Sequence, residues 1–140
     1  MLLIKDIFMR SYDVAVVALA IDAPHKWTDN VISHHQIPGV LQSERGVARK
    51  ISHDALLFLA IVRELHQHLG MSVRAAVSTS RTLLSSMSPT VPERGHVRVS
   101  LDRAGLERDV LSRLRDALES APTPRRGRPP GRSAPDRAGR

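Results

Sequence analysis

An eight-residue run of apolar side chains, Ala55 to Val62 (ALLFLAIV), places the strongest constraint on how this chain can fold. The run lies in a predicted helix from about His53 to Leu69, with Ser52 as its N-cap and Gly70 at its end. A helix that is apolar on every side must be buried on several faces. The run is far too short to cross a bilayer, which takes about 20 residues. The sequence therefore predicts a globular domain and no membrane partner.

Two short helices are predicted ahead of this long one. The first runs from about Tyr12 to Ile21, with Ser11 as its N-cap. The second runs from about Pro24 to His35, because proline is tolerated in the first turn of a helix. The sequence IPGV, Ile37 to Val40, ends it. Two helices joined by so short a connection are the parts of a helix-turn-helix.

The segment that follows, Val40 to Ser52 (VLQSERGVARKIS), is predicted to form a β-hairpin. Its two short runs flank a polar turn, Ser43 to Gly46, and its second run alternates in the manner of a strand.

A second group of elements is predicted after the long helix. Ser72 caps a helix that extends to about Met87, and the sequence SMSPTVPERG serves as a linker. His96 to Leu101 alternates as a strand, and Asp102 begins a last helix that reaches about Ser120. We therefore divide the chain into a domain over residues 1–87, a strand-helix element over residues 88–120 and a disordered tail over residues 121–140.

The last predicted helix carries one apolar stripe. We expect this stripe to make the protein a homodimer; the alternative is that it closes the core of the chain itself. The residues predicted to mediate dimerisation are Leu106, Val110, Leu114 and Leu118.

Charge is unevenly placed along the chain. The formal net charge is +7, and the segment from Ala121 onward contains six arginines and one aspartate, a net of +5 that leaves +2 for residues 1–120. A basic segment next to a nearly neutral body is typical of a folded domain with an appended nucleic-acid-binding arm. The folded part must then contact DNA through local patches.

The order of the parts resembles the MerR-type winged helix-turn-helix of bacterial transcription regulators. The resemblance rests on the short helix pair, then IPGV, a hairpin ending RKISHDAL, a helix ending ELHQHLGMS and the helix VRAAVSTSRTLL. It covers about Val14 to Leu84. It implies a mainly α fold with a short hairpin wing, a DNA-binding function and a dimeric regulator.

The polar side of the second helix provides the candidate base contacts. In the major groove, Asn reads adenine and Lys reads guanine, so Asn30 and Lys26 are the predicted base readers. The alternative is an ordinary solvated helix face. The full set of predicted contacts on this helix is Lys26, Thr28, Asp29, Asn30 and Ser33.

The hairpin provides candidate phosphate contacts. Arg45, Arg49 and Lys50 are expected to approach the DNA backbone, which orients a protein without specifying sequence. The alternative is a solvated charged turn.

The basic tail resembles the AT-hook, a minor-groove-binding motif with the core RGRP. The core occurs here as Arg126, Gly127, Arg128 and Pro129, with Arg125 before it and Arg132 after it. Prolines favour an extended chain, and the arginines can enter the negative groove of A-tract DNA. The alternative is a tail that adds only electrostatic affinity.

Other functional classes find little support in the sequence. The chain has no cysteine, which excludes disulfides, thiolate zinc sites and cysteine nucleophiles. Adjacent His34 and His35, and His66 and His68 two apart on a helix, are interpreted as surface or capping histidines. We expect no enzyme, no metal site and no cofactor.

The sequence thus predicts a small regulator that binds double-stranded DNA, cytoplasmic and associated with the nucleoid. The alternative is a protein-binding module, such as an antitoxin-like or adaptor subunit.

Overall fold

The computed structural model describes residues 10–41, 49–85, 90–92 and 96–120. In this part the protein is mainly helical, with small antiparallel sheets, as the sequence predicts. The helices are α1 Val14–Ala20, α2 His25–His34, α3 His53–Leu69, α4 Val73–Ser85 and α5 Arg103–Ser120. The strands are β1 Ser11–Tyr12, β2 Val40–Leu41, β3 Lys50–Ser52, β4 Thr90–Pro92 and β5 Arg98–Ser100.

Helix α3 lies at the centre of the core, as its apolar run predicts. Every residue from Ala55 to Val62 is buried, because α4 and α5 both pack against this helix and β3 leads directly into it. Ser52 Oγ accepts a hydrogen bond from the backbone N–H of Ala55 (3.2 Å), and Gly70 ends the helix in the left-handed conformation. Both predicted ends of the long helix are confirmed.

The chain before α1 corrects the predicted start of the first helix. Ser11 and Tyr12 form β1, which pairs with β3, and Asp13 is the N-cap, with its carboxylate accepting from the backbone N–H of Val16 (2.9 Å). A strand pairing with a partner about 40 residues away takes precedence over a local cap. Burial raises the pKa of the Tyr12 phenol, and the charge of Arg10 opposes part of that shift.

The predicted hairpin is present at its base. Strands β2 and β3 pair antiparallel, with Val40 opposite Ile51, and residues 42–48 lie outside the described part. Gly39 (φ +86°) is needed before β2, because a Cβ there would overlap Ser52 Oγ. The Gly39 carbonyl also accepts from the backbone N–H of Ser52 (3.0 Å).

The predicted linker contains a strand that sequence reasoning missed. Helix α4 begins after its Ser72 cap as expected and is described to Ser85, whereas Met87 lies outside the described residues. Thr90–Pro92 forms β4 and pairs antiparallel with β5. A strand that contains proline is tolerated in a two-stranded sheet, because both strands there are edges.

Helix α5 packs against α1 of the same chain. Asp102 caps its start, as predicted, by accepting from the backbone N–H of Gly105 (3.1 Å). Val110 and Leu114, two of the residues predicted to dimerise, are buried in the chain's own core, whereas Leu106 is half-buried and Leu118 is 42% exposed. The first two are therefore already covered within one chain, as in the alternative interpretation, and dimerisation stays a prediction for the rest.

Candidate nucleic-acid interface

Helix α2 presents a polar face to solvent. Lys26, Asn30 and Ser33 are exposed, while Val31 and Ile32 are buried against the core. His25, which the sequence analysis did not single out, is also exposed beside Lys26 in the first turn. The two predicted base readers therefore lie on one accessible face, four residues apart.

Thr28 does not belong to this face, which corrects its prediction as a DNA contact. Its side chain is fully buried, and its hydroxyl donates to the carbonyl of Pro24 four residues earlier (3.1 Å). The signal in the sequence was its spacing: Thr28 lies three residues before Val31 and four before Ile32, on the apolar side of the helix.

Asp29 and Arg49, both predicted to contact DNA, form an ion pair with each other. The Arg49 guanidinium lies 3.0 Å from the Asp29 carboxylate and 3.5 Å from the Asp29 carbonyl oxygen. The Arg49 side chain is only 22% exposed and that of Asp29 49%. The pair joins α2 to the residue that precedes β3, so the hairpin and α2 are tied together along one side of the polar face.

Lys50 is an accessible cation on the hairpin. It is exposed on β3 and stands opposite Leu41 of β2, whose side chain is 70% exposed. Side chains alternate along a strand, so Arg49 and Ile51 share the inward side while Lys50 turns outward. Arg45 lies outside the described residues.

The predicted contacts in the tail also lie outside the described residues. They are Arg125, Arg126, Gly127, Arg128 and Arg132.

Three arginines hold the α1–α2 pair through backbone carbonyls. Arg113 of α5 donates to the carbonyl of Ala20 at the end of α1 (2.8 Å), and Arg63 of α3 donates to that of Asp22 in the connection (3.3 Å). Arg81 of α4 donates to the carbonyl of Gln36 just beyond α2 (2.6 Å). Cations are favourable near the carbonyl ends of helices. These three bonds fix the orientation of the two short helices.

Trp27 anchors the inner side of α2. Its ring lies under the Arg63 guanidinium (5.0 Å to the ring centroid) and stacks on His66 (5.7 Å between centroids). Nδ1 of His66 lies 2.8 Å from the carbonyl oxygen of Met71, beyond the end of α3. Trp27 is half-buried against the core, and it fastens the first turn of α2 to α3.

A second concave feature is separate from this face. A cleft of about 440 Å³ is formed by residues of α3, α4, β5 and α5, and the lining residues that the structure describes include none from α2 or β3. Alongside its leucines it carries a mixed set of polar and charged side chains: Glu64, His68, Asp102, Arg108 and Asp109. The buried His53 places Nε2 3.9 Å from Glu107 Oε1, which connects the start of α3 to α5.

Three further observations bear on the class of site. Within residues 10–41, 49–85, 90–92 and 96–120, no group of three His, Cys, Asp or Glu side chains is close enough to hold a metal ion. No helix in this described part combines the length and the apolar character that crossing a bilayer requires. Comparisons of the chain with protein-family models, with curated proteins and with solved structures found no match.

Proposed function

We propose that the protein is a sequence-specific DNA-binding regulator whose α1–α2 pair is a helix-turn-helix and whose β2–β3 hairpin is a wing, similar to the MerR-type domain. One observation carries the proposal: α2 presents Lys26, Asn30 and Ser33 on an accessible polar face, and the hairpin, which the Asp29–Arg49 pair ties to α2, carries the exposed Lys50. A helix and an adjoining β-ribbon with such side chains suit a major groove and its flanking phosphates.

Contacts from α3, α4 and α5 support the two short helices in this role. Arg113 and Arg63 bind carbonyls at the end of α1 and in the connection, Arg81 binds a carbonyl just beyond α2, and Trp27 packs α2 onto α3. A rigid support of this kind lets a short helix present its polar side chains in a fixed geometry, which base reading by paired hydrogen bonds requires.

In this mechanism each polar group has a distinct task. Asn30 and Lys26 hydrogen-bond to base edges, and Ser33 and Lys50 approach phosphates. Arg45 and the tail arginines add phosphate or minor-groove contacts, because basic arms raise affinity through counterion release. Such a protein acts in the cytoplasm on the nucleoid.

The direct test is selection of binding sites from a pool of random double-stranded oligonucleotides by the full chain at about 150 mM salt. We expect a defined sequence to be enriched, with two half-sites about one helical turn apart if the protein is a dimer. Retention of DNA without enrichment of any sequence would contradict base reading by α2.

The second candidate is a protein-binding module, and the charge of the body favours it. Residues 1–120 carry a net charge of only +2, and Arg49, Arg63, Arg81 and Arg113 all bind groups of their own chain. Under this alternative, α2 binds a partner protein through the same polar face. A gel shift with residues 1–120 separates the two, since only the DNA-binding function predicts a sequence-dependent complex without the tail.

A further inference from the structure

We propose that the Asp29–Arg49 ion pair is a positioning device that fixes the β2–β3 wing to α2, and that Arg49 affects DNA binding through Asp29 rather than through a phosphate. The inference rests on the proposed function. It specifies which residues of the site contact DNA and which hold those residues in position. Sequence reasoning placed both residues on the DNA; the structure places them on each other.

The geometry of the pair supports a positioning role. The guanidinium lies within 3.5 Å of two oxygens of the same residue, the carboxylate of Asp29 and its backbone carbonyl. The carbonyl also accepts from the Ser33 hydroxyl (2.8 Å), so the contact reaches the helix backbone as well as a side chain. Both contacts are made by the same nitrogen, Nη1, so one group of Arg49 reaches the side chain and the backbone of Asp29.

The direction of the strand explains why Arg49 and not Lys50 makes this contact. Ile51 is fully buried, and Arg49, two residues before it, points to the same inward side, where α2 lies. Lys50, between them, is exposed on the other side. The pair therefore fixes where the wing lies relative to α2, and through the strand it fixes the direction of Lys50.

The charge of Asp29 provides the second part of the argument. Its carboxylate is half-exposed on the edge of the face formed by Lys26, Asn30 and Ser33, where a bare negative charge would repel phosphates. Arg49 neutralises it in place. If Arg49 instead bound a phosphate, Asp29 would oppose DNA binding, and its removal would raise affinity.

The two roles of Arg49 predict opposite changes in DNA affinity when the charge of Asp29 is removed, and this difference gives the test. In the full chain, Asp29→Asn, Arg49→Gln and the double variant are compared for affinity on the selected site and on random duplexes. The positioning role predicts that Asp29→Asn lowers affinity for the selected site by about two- to fivefold, the range that a partly exposed ion pair provides. It predicts a decrease for Arg49→Gln that is at least as large, because this change removes the contacts with both oxygens of Asp29, and little further decrease when Asp29→Asn is added to Arg49→Gln.

Lys50→Gln is the matched control, since it removes the same charge from the next residue of the same segment. It should weaken binding on all sequences and lower the slope of log affinity against log salt by about 0.9, the amount expected when one phosphate is no longer neutralised. Arg49→Gln should leave that slope unchanged.

A readout without DNA separates this inference from the proposed function. Amide hydrogen exchange at Leu41 and Lys50 in the free protein should be faster in Asp29→Asn and in Arg49→Gln, and unchanged in Lys50→Gln. If the protein binds no DNA, the proposed function is wrong, while the exchange experiment still tests whether the Asp29–Arg49 ion pair fixes the hairpin to α2. Unchanged exchange in Asp29→Asn and Arg49→Gln, or an affinity that is equal or higher in Asp29→Asn, overturns the positioning role.

Discussion

At the scale of single residues, burial separates side chains that look equivalent in the sequence. Five polar residues of α2 were predicted to contact DNA, and the structure leaves Lys26, Asn30 and Ser33 exposed, turns Thr28 inward and pairs Asp29 with Arg49. The outcome is decided by which side of a ten-residue helix packs on α3 and the hairpin. The candidate base-reading set is thus smaller than the polar set.

Replacing Asn30 or Lys26 with Ala should reduce affinity for the selected site by about 1–3 kcal/mol per substitution, because each removes hydrogen bonds to a base edge, with little effect on random DNA. Competition gel shifts with both DNAs measure this difference. Arg108→Ala, which removes a positive charge from the exposed surface of α5, is the control for Lys26→Ala. Equal decreases on selected and random DNA would refute base reading by these residues.

Gly39→Ala should destabilise the protein more than Gly70→Ala. Both glycines have positive φ (+86° and +66°), which costs an alanine about 1–2 kcal/mol. A Cβ at Gly39 also overlaps Ser52 Oγ and so disturbs the cap of α3, which adds about 1 kcal/mol, whereas the space around Gly70 is open to 4 Å. Urea unfolding of both variants measures the difference, and equal free energies of unfolding would contradict the cap argument.

At the scale of elements, α5 shows how an amphipathic stripe can be divided between two uses. Its inner positions complete the core against α1, and Arg113 fastens the end of that helix, so α5 belongs to the same folded unit as the α1–α2 pair. Only its flanks, with Leu118 exposed, remain for a second chain. The predicted boundary between residues 1–87 and 88–120 thus separates segments that share one core.

Leu114→Ala and Leu118→Ala form a matched pair that tests this division. Leu114→Ala removes a buried side chain and should lower the free energy of unfolding by about 2–5 kcal/mol. Leu118→Ala should change it by less than about 0.5 kcal/mol at low protein concentration, as expected for a surface position. If α5 also dimerises, Leu118→Ala weakens the dimer in sedimentation equilibrium. A protein that stays monomeric at tens of micromolar contradicts dimerisation.

At the scale of the whole molecule, the arginines form two groups. Arginines of the body hold carbonyls and a carboxylate of their own chain, while six arginines lie beyond Ala121. If the protein binds DNA as proposed, the body provides the sequence discrimination and the segment after residue 120 provides much of the electrostatic affinity.

Deletion of residues 121–140 should lower the slope of log affinity against log salt by about 2–4. Each phosphate that is no longer neutralised accounts for about 0.9 of this slope, and six arginines on one arm rarely all engage. Salt titrations of the full and shortened chains measure the slope. An unchanged slope would mean that the tail neutralises no phosphates.

Gly127→Val distinguishes an AT-hook from a simple basic arm, since it preserves charge while a side chain lifts the backbone from the groove floor. A hook predicts that binding weakens by about 1 kcal/mol, selectively on AT-rich duplexes, where the minor groove is narrow and strongly negative. A basic arm predicts no effect of Gly127→Val and a uniform decrease in affinity on deletion of the tail.

The sequence by itself determined the elements whose signals are local. Ser52, Ser72 and Asp102 bond to backbone within three residues, and the apolar run of α3 leaves no exposed side, so these three caps and the central helix follow from neighbouring residues alone. The position of Lys26 and Asn30 on one face also follows from helical spacing.

The tertiary structure decided what depends on partners distant in the chain. Strands of two or three residues carry almost no pattern of their own, so β1 and β4 exist because β3 and β5 lie beside them. The Asp29–Arg49 pair spans 20 residues, and the burial of Leu114 requires α1 to lie against α5. Periodicity shows that a side chain lies on a polar or apolar face, but only the packing of elements decides which other residue that face meets.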